Sequence, residues 1–228
     1  MSSPRSPTDL LEAFGTDRRQ LGEATLAETY TMQGLLSVLW FGAQDARDVV
    51  ICCSGAMGGL IGPARGVWHD LGVTGQQLGR GLAIVDYRQP EDDNLCLIDA
   101  LATADRALRQ GAERLLFVGH SFGGAVAVQC GIATADACVG VLGLATQSAG
   151  CENAMALAPT PLLLLHGSND QILPSVSSLA VRDLAGYGDV EIIEGASHGL
   201  SECVDVITDR AETFFNRCFT PSETETPG

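Results

Sequence analysis

Residues 115–124 read Leu115-Leu116-Phe117-Val118-Gly119-His120-Ser121-Phe122-Gly123-Gly124, an apolar run that leads into Gly-x-Ser-x-Gly. The small residues of 125–128 follow directly. This pattern predicts a strand, a sharp turn and a helix, with the hydroxyl of Ser121 exposed at the turn. A turn this tight strains the backbone at the serine, and glycines on either side let strand and helix approach without Cβ clashes. We therefore interpret Ser121 as a candidate nucleophile rather than as part of an accidental loop.

The rest of the chain alternates apolar, strand-like runs with helical patterns. Such alternation predicts an α/β fold, a mostly parallel sheet of about eight strands with helices on both faces. Residues 25–30 and 35–41 suit an antiparallel hairpin at the sheet edge. Leu10, Leu11 and Phe14 suggest a short docking helix. The expected buried strands are 49–53, 81–85, 115–118, 139–144, 162–165 and 190–193, and the expected further helices are 63–80, 95–108, 176–184 and 204–219.

Composition bounds the class of protein. With 228 residues, 46% hydrophobic and 18% charged, and with no internal repeat, we expect one domain over 1–228. The Ser- and Pro-rich residues 1–9 and the polar residues 220–228 are predicted to be disordered tails.

The net charge is 13 minus 28, or −15, so the surface should repel phosphate backbones and anionic lipid. We therefore expect neither nucleic acid nor membrane as a partner. The start of the chain lacks the apolar segment of a signal peptide, and the eight cysteines form no C-x-x-C pair. These features favour a cytoplasmic protein with reduced, buried thiols and with neither a metal nor a cofactor.

Two polar segments directly follow predicted strands. His166-Gly167-Ser168-Asn169-Asp170 follows the strand 162–165, and Gly195-Ala196-Ser197-His198-Gly199 follows the strand 190–193. Parallel strands bring such segments to the same edge of the sheet, where ligands bind. A serine hydroxyl needs an imidazole to take its proton, and the imidazole needs a carboxylate to fix its tautomer. Ser121, Asp170 and His198 are the predicted catalytic residues.

These motifs resemble those of α/β-hydrolases. Gly-His-Ser-Phe-Gly-Gly, Asp-Tyr-Arg-x-Pro and His-Gly-x-x-Asp match between about residues 34 and 217, and the chain is similar to small hydrolases of the dienelactone-hydrolase-like branch. The resemblance implies the α/β-hydrolase fold. Two positions depart from it: dienelactone hydrolases carry a cysteine where this chain has Ser121, and many relatives have His-Gly where this chain has Ser54-Gly55. Only residues 145–161 separate two strands where many relatives insert a helical lid, which predicts an open site.

The oxygen of a tetrahedral intermediate must meet preorganised N–H groups, each worth roughly 3 to 4 kcal/mol. The Phe122 amide is one predicted donor. By analogy with the fold the second is the Ala56 amide, with Met57 as the close alternative. Met57, Tyr87 and Leu173 are candidates for an apolar acyl pocket.

Other polar residues have alternative readings. Glu152 is the alternative acid, since some relatives place the carboxylate after the preceding strand. His120 and His166 are interpreted as structural, His69 as a solvated or helix-capping residue, and Asp86 as a brace for the oxyanion turn. Arg88 belongs to the same Asp-Tyr-Arg segment and is interpreted in the same way. The alternative is that Arg88 anchors an anionic substrate.

The predicted function is a serine hydrolase that cleaves a carboxylic ester or thioester of a small to medium acyl substrate through an acyl-enzyme, as a monomer or homodimer. A serine peptidase or an acyltransferase would use the same triad. A binding protein of this fold normally lacks a member of the triad, whereas this chain retains all three.

Overall fold

The computed structural model describes residues 5–220, and the predicted disorder of residues 1–4 and 221–228 lies outside that range. A nine-stranded sheet in the order β1-β2-β3-β5-β4-β6-β7-β8-β9 forms its centre. The strands are β1 (Ala13–Leu21), β2 (Ala24–Thr31), β3 (Gly34–Phe41), β4 (Asp48–Cys53), β5 (Gly81–Asp86), β6 (Arg114–His120), β7 (Cys138–Leu144), β8 (Leu162–Gly167) and β9 (Asp189–Ile193).

The pairing confirms the mostly parallel sheet. Strands β4 to β9 run parallel to one another, whereas β1, β2 and β3 form an antiparallel meander that joins β5. The antiparallel hairpin of β2 and β3 is as predicted, but its predicted place at the sheet edge is wrong, because β1 pairs with β2 and forms that edge. The carboxyl ends of β6, β8 and β9 therefore lie along one edge of the sheet.

Strand β1 was not predicted. All nine of its residues are exposed, and Asp17, Arg18 and Arg19 stand in a row, so no alternation of buried and exposed positions marks the strand. The short helix expected around residues 10–14 is instead α1 (Pro7–Leu10), which begins with a capping box between Ser6 and Asp9. Residues 7–9, predicted to be disordered, are therefore helical.

Helices cover both faces of the sheet, as predicted. They are α2 (Val67–Gln77), α3 (Asp93–Gln110), α4 (Phe122–Ala133), α5 (Val176–Ala185) and α6 (Val204–Phe219). One core contains buried residues of α3, α4 and α5, and the other contains those of α2 and α6. The neighbours Cys52 and Cys53 face opposite cores, and six of the eight cysteines are buried, as expected from their apolar surroundings.

Helix α2 is shorter than the predicted 63–80. Ala64, Arg65 and Gly66 all have positive φ, which keeps the chain out of the helix until Val67. Gly79, also at positive φ, follows its end. Among residues 5–220, every helix is too short or too polar to span a lipid bilayer.

A buried ion pair fixes α3 to the end of β5. The Arg88 Nε–H donates to Asp99 Oδ1 at 2.6 Å, the Arg88 backbone amide donates to Oδ2 at 2.8 Å, and both side chains are fully buried. Burial raises the pKa of Asp99, although the bonds from Arg88 oppose that rise. The Arg88 guanidinium is therefore buried in an ion pair with Asp99. The alternative that Arg88 anchors an anionic substrate is wrong.

We predict that Asp99→Asn lowers the free energy of unfolding by about 3–5 kcal/mol, because it leaves the Arg88 guanidinium buried without its counter-charge. Urea unfolding measures the loss. The matched control is Glu113→Gln, which breaks the exposed pair with Arg47 and should cost less than about 1 kcal/mol. Equal costs for the two variants would contradict this account.

Candidate active site

The turn between β6 and α4 has the predicted geometry of a nucleophile elbow. Ser121 has φ 56° and ψ −118°, and its side chain is partly exposed. A Cβ on Gly119 would lie 2.0 Å from the Gly123 carbonyl oxygen, and one on Gly123 would lie 2.1 Å from the Cys53 oxygen. Only glycine fits at either position, so α4 contacts both β6 and the end of β4.

Asp170 and His198 meet at the ends of β8 and β9. The His198 Nδ1–H donates to Asp170 Oδ2 at 2.7 Å. The other carboxylate oxygen, Oδ1, accepts bonds from the backbone amides of Ile172 at 2.9 Å and Leu173 at 2.8 Å. The carboxylate partner of His198 is thus Asp170, whereas the alternative acid, Glu152, is exposed and accepts a bond within its own loop.

The environment of Asp170 keeps it ionised. Burial by itself would raise the pKa of this carboxyl, but the bonds from the Leu173 amide, from His198 and from the Ile172 amide together hold its pKa below the usual value. A carboxylate that stays charged can fix the His198 tautomer with Nδ1 protonated, which leaves Nε2 free to accept a proton.

His166 contacts Asp170, a contact that was not predicted from the sequence. His166 is fully buried, and its Nε2 lies 3.1 Å from Asp170 Oδ2 and 2.8 Å from the Leu173 carbonyl oxygen. Its Nδ1 lies 2.7 Å from the Ser178 hydroxyl of α5. With Nε2 protonated, His166 donates to both oxygens and accepts from Ser178. The signal was present in the sequence, because the His-Gly-x-x-Asp spacing places both side chains at the end of one strand.

His120 contacts the backbone of the loop that carries His198. Its Nε2–H donates to the His198 carbonyl oxygen at 2.9 Å, and the two rings lie 4.9 Å apart. Burial lowers the pKa of His120, which favours its neutral form. The loop is also held by the Ser197 amide and hydroxyl, which both donate to the Glu202 carboxylate, and by the Ala64 amide, which donates to the Gly199 oxygen at 2.8 Å.

The turn after β4 lies beside the elbow. A Cβ on Gly55 would lie 3.9 Å from the Ser121 Cβ, and the Gly58 amide closes the turn by donating to the Gly55 oxygen at 2.8 Å. Ala56 and Met57 are the central residues of that turn, and within residues 5–220 their amides donate to no acceptor.

The third amide of this group belongs to Phe122. As the first residue of α4, it has no acceptor within the helix. Asp86 accepts a bond from the Gly59 amide at 2.6 Å, so its carboxylate braces the turn as the sequence suggested.

The three candidates for an acyl pocket have different environments. Met57 is 93% exposed, and Leu173 is half-buried. Tyr87 is only 4% exposed, and its ring packs edge-on against Phe122 with centroids 6.2 Å apart. The Tyr87 ring therefore belongs to the core behind Phe122, and we correct its assignment to the acyl pocket.

Within residues 5–220, the Ser121 hydroxyl makes no hydrogen bond with His198.

The sheet order, the elbow and the three strand-end residues together define the α/β-hydrolase fold, and solved structures confirm it. The chain is similar to Est1E from Butyrivibrio proteoclasticus, with a TM-score of 0.69 and 14% identity over 90% of this chain and 98% of that chain. The chain is also similar to a dienelactone hydrolase from Anabaena variabilis, with a TM-score of 0.69 and 16% identity over 89% of this chain and 98% of that chain.

Mouse α/β hydrolase domain-containing protein 10 gives a TM-score of 0.65 and 16% identity over 89% of this chain and 99% of that chain. No protein-family model and no curated protein matches the chain. At 14–16% identity, this likeness establishes the fold of the chain.

We predict that the stability supplied by Asp170 depends on pH. Its pKa is lower in the folded chain than the unfolded value of about 3.9, so the contribution is complete above about pH 4 and is lost as pH falls through the folded pKa. Asp170→Asn should therefore be less stable than the wild type at pH 7, and the gap should narrow below pH 4. Urea unfolding at pH 7, 5, 4 and 3 measures the gap.

The control for this series is Asp136→Asn, which alters an exposed carboxylate that makes no hydrogen bond within residues 5–220. Its stability should follow the wild type at every pH. A gap between wild type and Asp170→Asn that stays constant down to pH 3 would show that the Asp170 carboxyl is not held in its charged form.

Proposed function

We propose that this protein is a serine hydrolase that cleaves a carboxylic ester or thioester of a small to medium acyl group. Ser121 is the proposed nucleophile, His198 the base and Asp170 the acid that orients it. The observation that carries the proposal is the 2.7 Å bond from His198 to a buried, ionised Asp170, at the edge of the sheet where Ser121 occupies a strained turn.

In the proposed first step, His198 Nε2 takes the proton of the Ser121 hydroxyl as Ser121 Oγ attacks the carbonyl carbon of the substrate. The hydroxyl and the imidazole are not hydrogen-bonded within residues 5–220, so the proposed step requires them to come within hydrogen-bond reach when substrate binds. The Phe122 amide and one amide of the turn, that of Ala56 or Met57, receive the developing oxyanion.

The tetrahedral intermediate then collapses. His198 gives its proton to the leaving alkoxide or thiolate, and an acyl group remains on Ser121. In the second half, His198 removes a proton from water, the hydroxide attacks the acyl carbon, and the carboxylic acid leaves as Ser121 recovers its proton. Asp170 stays charged throughout and stabilises the imidazolium.

The surroundings of the site favour a modest acyl group. The segment over 145–161 contains one short 3₁₀ helix, Ala154–Leu157, whose buried residues Ala154 and Leu157 belong to the core that α4 and α5 share. The Met57 side chain, in the turn after β4, is exposed to solvent. One structure of the neighbour Est1E has ferulic acid bound, so an aromatic acyl group is a reasonable member of a substrate panel.

We predict that a fluorophosphonate probe adds once to the wild-type chain and that the adduct maps to Ser121, because an activated serine attacks phosphorus as it attacks a carbonyl. Intact mass and peptide mapping measure the adduct. A panel of p-nitrophenyl esters of increasing acyl length, together with methyl ferulate, then defines the pocket by kcat/KM.

Ser121→Ala is the test variant, and Ser177→Ala is its matched control, because the Ser177 side chain of α5 is partly exposed and its hydroxyl makes no hydrogen bond within residues 5–220. Only Ser121→Ala should abolish both labelling and ester turnover. If the wild type takes up no probe, or if labelling survives in Ser121→Ala, the binding-protein alternative replaces the hydrolase.

A further inference from the structure

A cavity of about 240 Å³ lies under the outer antiparallel strands, away from the Ser121 turn. Strands β1, β2 and β3 form one wall, helix α3 forms the opposite wall, and α1 with Leu11 lies at one end. Its lining includes no residue of the proposed catalytic site.

The cavity exists because small side chains face each other across it. Arg18, Ala27 and Val38 are partners across three adjacent strands, so they share one face of the sheet, and that face is toward α3. The central strand β2 contributes only Thr25, Ala27 and Thr29 to the cavity. Helix α3 contributes Ala102 and Thr103 opposite them, and these short side chains leave the space unfilled.

Aliphatic, tryptophan and threonine side chains line the cavity, and the only charged residues of the lining are positive. Leu36, Val38 and Trp40 are buried members of the main core and form the floor. Arg18 and Arg106 are the two charged residues of the lining, and no carboxylate is among them. This is unusual in a chain with a net charge of −15.

Neither guanidinium is neutralised by the described chain. Within residues 5–220, eight arginines form ion pairs with carboxylates. Arg18 and Arg106 are among the five that form none, and they are the two of those five that line the cavity. Asp105, which adjoins Arg106 in sequence, already accepts bonds from Thr8 and Arg109. Two unpaired guanidinium groups beside an apolar space match a carboxylate with an apolar tail, since arginine binds carboxylates in a two-bond fork.

We propose that this cavity binds an apolar monocarboxylate, with the tail against Trp40 and the carboxylate between Arg18 and Arg106. A cavity of about 150 Å³ holds benzene, so 240 Å³ holds about eight to ten non-hydrogen atoms, the size of octanoate. The site is separate from the Ser121 turn, and the proposal therefore stands whether or not the protein is a hydrolase.

The fluorescence emission of Trp40 can report binding in the cavity. The chain has two tryptophans, of which Trp40 lines the cavity and Trp68 lies in the opposite core. We expect octanoate to change the tryptophan emission of Ser121→Ala in a saturable way, and we expect octanol, which has the same tail without the charge, to bind at least 10-fold more weakly. Use of the Ser121→Ala background removes turnover and the proposed nucleophile from the experiment.

Two variants in that background test the contacts. Arg18→Gln with Arg106→Gln should weaken octanoate binding at least 10-fold and leave octanol binding unchanged, whereas Arg182→Gln, at an exposed pair on α5, should change neither. Ala27→Leu, which fills the space, should abolish binding of both molecules. Thermal unfolding of each variant without ligand confirms that it is folded.

Three results would overturn the proposal: no saturable change in emission with octanoate, equal affinity for octanoate and octanol, or full affinity in the double arginine variant. Competition between octanoate and a fluorophosphonate in the wild type, with the Trp40 signal unchanged, would assign octanoate to the Ser121 turn and would also overturn it. Failure of labelling at Ser121 leaves this site standing, so the two proposals fail independently.

Discussion

The contact between the β6–α4 turn and the end of β4 constrains the whole structure. Gly119 and Gly123 have no room for a Cβ, so the backbone of the turn touches the backbone of its neighbours directly. That approach lets α4, which is buried along most of its length, lie in the core against β6 and β7. It also leaves Ser121 at positive φ, with its amide bound to the Leu144 oxygen at 2.8 Å and its side chain turned outward.

Hydrogen bonds hold the groups around this turn in place. Asp170 accepts four: two from backbone amides, one from His198 and one from His166. His198 is held in turn through its backbone carbonyl by His120. Removing the charge of Asp170 from solvent costs free energy, and these donors offset that cost, which keeps an acidic group ionised inside an acidic protein.

The central strands, the elbow and the helices α3 to α6 could be predicted because buried parallel strands are continuous apolar runs and because helices repeat at three and four residues. Strand β1 could not, since all of its residues are exposed and it is held by backbone pairing with β2. Helix α2 begins after the predicted residue 63 because Ala64 and Arg65 have positive φ. Neither residue type favours that conformation, so the sequence did not indicate it. Tyr87 was wrongly assigned to the acyl pocket. The sequence shows that Tyr87 follows the end of β5, but it does not show that the Tyr87 ring packs against the ring of Phe122.

The most direct test of the account is the pre-steady-state burst with p-nitrophenyl acetate. The wild type should release one p-nitrophenolate per chain before the steady state, with the acetyl group on Ser121. Asp170→Asn should slow the burst by about 10⁴-fold through the wrong His198 tautomer, and Glu152→Gln should leave it unchanged. An acetyl group on any residue other than Ser121, or equal burst rates in the wild type and Asp170→Asn, would contradict the account.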